Sequence, residues 1–164
     1  MSTPRGDQAR ASVLVNLEPG QAFRVLTEEI DQWWGRSPKF RAVGTRGGLL
    51  VLEPALGGRL FESYDTPSGP RTVEMGRVTV WEPPTRLMLE WRAVNFKPGE
   101  KTEVEVDFER TANGTRVTVT HRGWSQLRPD HPVRHGQPPA VFIGAMGRWW
   151  GQLLTSLREW AVQA

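Results

Sequence analysis

Cysteine is absent from the 164 residues. That excludes disulfides, thiolate nucleophiles and cysteine-based zinc sites together, and it fits a cytoplasmic protein. No run approaches 18 consecutive apolar residues, so neither a membrane span nor stable membrane insertion is expected. The opening MSTPRGDQAR lacks the apolar core of a secretory signal. Residues 1–9 read instead as a flexible arm ahead of a single domain over 10–164. Lysine is scarce, with 3 against 18 arginines in a net charge of +3. The arginines are scattered singly and form no run that could track phosphates, so no nucleic-acid partner is expected. The glycine pairs in GTRGG and PALGG do not lead from a strand into a helix, which disfavours phosphate binding. No serine sits in a nucleophile elbow.

Glycine (17) and proline (13), by contrast, are plentiful, as the turns of a sheet-rich domain require. The length supports one real core. ASVLVNL (11–17) reads as a strand. EPGQAFRVL (18–26), with Pro19 at its start, and EEIDQWW (28–34) read as two short helices. Six strands follow over 47–54, 58–64, 72–81, 85–94, 101–111 and 115–124, with TPSGP (66–70) as a loop and Asn113-Gly114 as a hairpin signal. Residues 125–140 form a loop. AVFIGAMGRWWGQLLTSLREWAVQ (140–163) is a long helix whose stripe runs through Phe142, Met146, Trp149, Leu153, Leu157 and Trp160.

Alternation then assigns faces. The inner row is Val78, Val80, Leu87, Leu89, Trp91, Val104, Val106, Phe108, Val117, Val119 and His121. The outer row is Arg77, Thr79, Arg86, Glu90, Arg92, Glu103, Glu105, Asp107, Arg116, Thr118 and Thr120. The result is an α+β fold: a curled seven-stranded antiparallel sheet wrapped around a long C-terminal helix, with two short helices between strands 1 and 2.

Three inward polar residues have chemistry to offer. His121 continues the row of Val117 and Val119. Glu62 shares a phase with Leu60, although Phe61 competes for that face, and Glu74 shares the phase of Val78. His121 with either carboxylate could perform acid–base work, orient a ligand through one hydrogen bond, or simply be satisfied structurally. His131 and His135 have i, i+4 spacing, but Pro132 opposes a helix across them and no third ligand is evident. A solvated loop and no metal are expected there. Eight tryptophans, at 33, 34, 81, 91, 124, 149, 150 and 160, suit either a pocket for a flat apolar ligand or a solid core.

GGRLFE, GRVTVWEPPTRLMLEW, TRVTVTHRGW and RWWGQLLTSLREW, in that order, resemble the helix-grip START/Bet v 1-like (SRPBCC) superfamily. They are most similar to its bacterial branch related to the activator of Hsp90 ATPase (AHSA1). The matching positions are Gly57-Gly58, Gly76, Pro83-Pro84, Arg86-Leu87, Trp91, Thr120-His121 and Gly123. The resemblance implies a hollow between sheet and long helix, expected at about 300 Å³ or more. A small hydrophobic or aromatic molecule is the expected partner, without a cofactor, held by a monomer or homodimer. The contacts expected for it are Trp33, Trp34, Trp91, Phe108, His121, Met146 and Trp150. Trp149 or Trp150 filling that space would mean a solid core instead. The alternatives are a cyclase, dehydratase or hydrolase using His121 with Glu62 or Glu74, and a module that stimulates an Hsp90-type ATPase.

Overall fold

The computed structural model describes residues 7–37, 39–41, 48–92, 96–124, 127–128, 130–131 and 136–162. The chain runs β1 (Gln8–Val15), α1 (Pro19–Glu28), α2 (Ile30–Trp33), β2 (Leu49–Leu52), β3 (Arg59–Thr66), β4 (Gly69–Glu82), β5 (Arg86–Trp91), β6 (Thr102–Thr111), β7 (Gly114–Arg122) and α3 (Pro139–Ala161). All strands join one antiparallel sheet in the order β1-β7-β6-β5-β4-β3-β2. Helix α3 packs along β1, while α1 and α2 close the other side of the core. The first strand begins earlier than its alternation marked, so Gln8 and Ala9 of the expected arm are strand residues; residues 1–6 lie outside those described.

Local chemistry accounts for the boundaries. Pro19 opens α1 where a missing N–H costs nothing, and the Glu18 N–H donates to Gln21 Oε1 at 3.2 Å. The stretch expected as a loop at 66–70 is a tight turn of Pro67 and Ser68, closed by Thr66 Oγ1 donating to the Gly69 carbonyl at 2.7 Å. Two of the motif glycines stand where the backbone comes close. A Cβ on Gly58 would lie 2.2 Å from the Glu53 carbonyl oxygen, and one on Gly76 would lie 2.7 Å from that of Glu90.

The inner rows hold in β5, β6 and β7. Leu87, Leu89, Trp91, Val104, Val106, Phe108, Val117, Val119 and His121 are all buried. In β4 the simple phase fails at two bulges. Thr79 is an extra residue between the pairs Val78–Leu89 and Val80–Met88. The phase therefore flips: Val80 leaves the inner face, and Trp81, paired with Leu87, packs edge-on against Phe23 at 5.0 Å. Met75 is extra between Leu60–Gly76 and Phe61–Glu74. Glu74 consequently sits on the solvent side, bonded to Arg77 at 3.0 and 3.1 Å, and its expected inward phase is corrected. Glu62, in register with buried Leu50, is itself buried.

Candidate functional site

Four indoles meet where α2, β5 and α3 converge. Trp34, Trp91, Trp149 and Trp150 form a tetrad in which all six ring pairs lie within 5.0–6.3 Å of each other, most of them edge to face. Trp33 adds a fifth ring, 5.4 Å from Trp34. Three of these indole N–H groups bond to backbone carbonyls. Trp33 donates to the Leu26 carbonyl at 3.1 Å, Trp34 to Phe40 at 2.9 Å and Trp149 to Lys39 at 2.8 Å. The Trp149 bond staples the segment after α2 onto α3, and the Trp34 bond closes that segment on itself one carbonyl further on.

Beneath the tetrad lies the interior space, bounded by Leu26, Ile30, Leu52, Leu60, Leu154 and the faces of Trp33, Trp34, Trp91 and Trp150. Its void is about 20 Å³. This is room for about one water, yet the lining is apolar, so a water there would have no partners and the void is dry. Among the described residues this space is thus not the expected hollow of about 300 Å³. The rings fill it, because aromatic side chains packed to interior density leave few voids.

The expected contacts therefore separate. Trp33, Trp34, Trp91 and Trp150 line the void. Phe108 lies elsewhere in the core, 4.9 Å from Phe23. Met146 faces an outer groove with Lys39, Gln137, Phe142, Ala145, Arg148, Trp149 and Gln152. That groove holds about 430 Å³, and Trp149 is its wall on one side and a tetrad member on the other.

His121 stands behind the rings, fully buried, 5.7 Å from Trp91 and 4.2 Å from Trp124. Its two nitrogens define its state. The Trp150 indole N–H, which can only donate, points at Nδ1 over 3.1 Å. Nδ1 must then carry the lone pair, so the proton is on Nε2, which donates to Thr102 Oγ1 at 2.7 Å. Burial pushes the imidazole down to about 3. Neutral, with both nitrogens engaged, it is a structural bridge between β6, β7 and α3. No carboxylate contributes to its shift. Glu62 and Glu74 lie on β3 and β4, four and three strands away across the sheet. The acid–base pairing of His121 with either is not assembled.

Thr102 was the residue that pattern reading missed. It shares the phase of Val104 and Val106 and directly pairs with Trp91, so strand alternation carried the signal. His131 also departs from expectation: it is buried, with Nε2 3.3 Å from Glu100 Oε1 and its ring 4.6 Å from Phe96, while His135 lies outside the described residues. No helix among the described residues is long and apolar enough to cross a membrane.

Solved structures share this fold. A Rhodobacter sphaeroides protein superposes with a TM-score of 0.64 at 22% identity, covering 97% of this chain and 95% of that one. Protein MLL2253 of Mesorhizobium loti gives 0.62 at 18%, covering 95% and 96%. The AHSA1-like protein of Aeromonas hydrophila gives 0.58 at 17%, covering 95% and 92%. At these identities the likeness is one of fold. No curated protein matches. The family model described as activator of Hsp90 ATPase homolog 1-like protein matches residues 16–160, a span that runs from the end of β1 to the last turn of α3 and takes in the tetrad and the His121 bridge. The chain belongs to the activator of Hsp90 ATPase homolog 1-like family.

Proposed function

We propose that this chain holds a small apolar or aromatic molecule between the sheet and α3, in the space the tryptophan rings now fill. The observation that carries the reading is the dry, apolar void walled by Trp33, Trp34, Trp91 and Trp150. A ligand pocket occupies roughly 300–1,000 Å³, so entry requires rings to swing aside. The ring best placed to move is Trp34. It follows α2, outside regular structure, and its N–H is tied to the core only through the Phe40 carbonyl. A displaced indole would leave apolar surface for an aromatic guest to cover, at about 25 cal/mol per Å². The void offers no general acid or base, and His121 is committed to Trp150 and Thr102. The site is built for holding rather than transforming. The family's name carries a second reading, stimulation of an Hsp90-type ATPase, which no feature of the site favours.

The test is native mass spectrometry of the purified protein, for a copurified molecule, together with a naphthalene titration followed by tryptophan emission. Binding should shift the emission, because the guest must displace Trp34, and it should raise the melting temperature. An unchanged spectrum and an unchanged melting temperature at saturating naphthalene would overturn the reading.

A further inference from the structure

We infer that the outer groove along α3 is a second binding site, taking a small monocarboxylate with an apolar body. At about 430 Å³ the groove is already ligand-sized, unlike the interior. Its apolar side is Phe142, Met146 and Trp149. Lys39 and Arg148 supply its charge, and among the described residues no acidic side chain lines it.

Among the described residues neither of those two cations is neutralised by a carboxylate, whereas Arg36, Arg41, Arg59, Arg77, Arg86 and Arg122 each bridge one. Arg148 makes no ion pair among the described residues. Its guanidinium folds back along the helix, with Nη1 3.5 Å from where a Cβ on Gly144 would stand. Lys39 Nζ donates to the neutral Gln152 Oε1 at 2.8 Å and lies 5.6 Å from the Phe40 ring centre. The ammonium is held in place, but its charge is not compensated. Two positioned cations beside an aromatic wall complement one anionic head and one apolar body. A guanidinium meets a carboxylate through two parallel hydrogen bonds, which gives the head a preferred geometry. The concave shape and the single pair of cations fit one small molecule, whereas a polyanion needs a longer row of positive charge.

The experiment compares 2-naphthoate with neutral 2-naphthalenemethanol, by isothermal titration calorimetry at low salt. Wild type should bind the carboxylate at least tenfold more tightly. The Lys39→Gln/Arg148→Gln double variant should lose that preference while keeping its affinity for the alcohol. Both residues are exposed, so folding should be untouched, and the thermal melt checks this. Equal affinity of wild type for the two probes overturns the inference, as does a preference that survives in the double variant. Tight binding of an acidic peptide without binding of naphthoate overturns it too. The inference does not depend on the interior opening. Naphthalene binding without carboxylate preference would remove the groove site and leave the interior reading standing; the converse result would do the reverse.

Discussion

Two spaces lie on either side of the tryptophan cluster, and they differ in volume, polarity and charge. The inner one is dry, apolar and nearly full, at about 20 Å³. The outer one is about 430 Å³, open, and flanked by two cations without counter-charges. The inner side lies between the sheet and α3, and the rings of Trp33, Trp34, Trp91 and Trp150 crowd it. The difference teaches that a fold allots a place between sheet and helix, while side-chain volume decides whether that place is hollow. It also shows what closes the interior: three indole N–H groups bonded to single acceptors at Lys39, Phe40 and His121, each worth about 1 kcal/mol net.

The comparison is broken most severely from inside. Val106→Asp puts an unpaired charge beside the void and should destabilise the chain by about 3 kcal/mol or more, read as a lowered urea midpoint. The adjacent residue in the same strand, on the opposite face, is the control. Glu105 lies 2.7 Å from Arg86 Nε and 2.5 Å from Arg122 Nη2, yet those arginines keep Glu82 and Glu103. Glu105→Leu should therefore cost no more than about 1 kcal/mol. A larger loss for Glu105→Leu than for Val106→Asp would invert the assignment of faces.

Removing the bridge behind the rings comes next. His121→Phe preserves bulk but strands the buried Trp150 N–H and takes away the donor to the buried Thr102 oxygen, for a loss of roughly 2–4 kcal/mol. His121→Gln can both accept from Trp150 and donate to Thr102, and should recover most of that loss. Equal destabilisation by the two variants in chemical denaturation would show that ring shape, not hydrogen bonding, is what His121 contributes.

Acid sharpens the same point. Folding lowers the His121 value from 6.5 to about 3. Between those limits the unfolded chain binds the additional proton, so stability rises with pH across the window. The contribution is complete above about pH 6.5 and is lost as pH falls toward 3, on the order of 5 kcal/mol over the whole range. Asp31 is held below its ordinary value, against the opposing effect of burial, by the Leu50 N–H and then by Arg41 and Arg36. It adds to the loss only below about pH 4. Asp107, raised by burial and then by Glu105, acts in the opposite direction. Urea midpoints between pH 7 and 4.5 should fall for wild type and fall less for His121→Gln. Parallel slopes would mean that another group dominates.

The smallest expected effect is at the groove. Lys39→Gln and Arg148→Gln, at exposed positions, should each change stability by less than about 0.5 kcal/mol, measured by thermal melts. A larger change would tie these cations to the fold itself and weaken their reading as ligand contacts.

How far the pattern could be read depended on how local its cause was. Leu87, Val104, Val106, Val117 and His121 announced their faces because each strand alternates by its own geometry. Val80, Trp81 and Glu74 did not, because a bulge is set by the partner strand's hydrogen bonds and leaves no mark in the bulged strand's own period. The tryptophan rings were visible as residues, but not as a plug. Whether Trp34, Trp91, Trp149 and Trp150 line a hollow or fill it turns on rotamers chosen where three elements meet.

By itself the sequence determined the order of elements, the antiparallel pairing and the apolar stripe of α3, since alternation, turn residues and helical spacing act over a few residues. Only the tertiary structure decided that His121 is neutral, that the interior is nearly solid, and that Lys39 meets Arg148 across one groove. Those outcomes rest on contacts between residues far apart in the chain, such as Thr102, His121 and Trp150, or Lys39 and Gln152. Volume, hydrogen bonding and charge can act on such pairs only once the chain has brought them together.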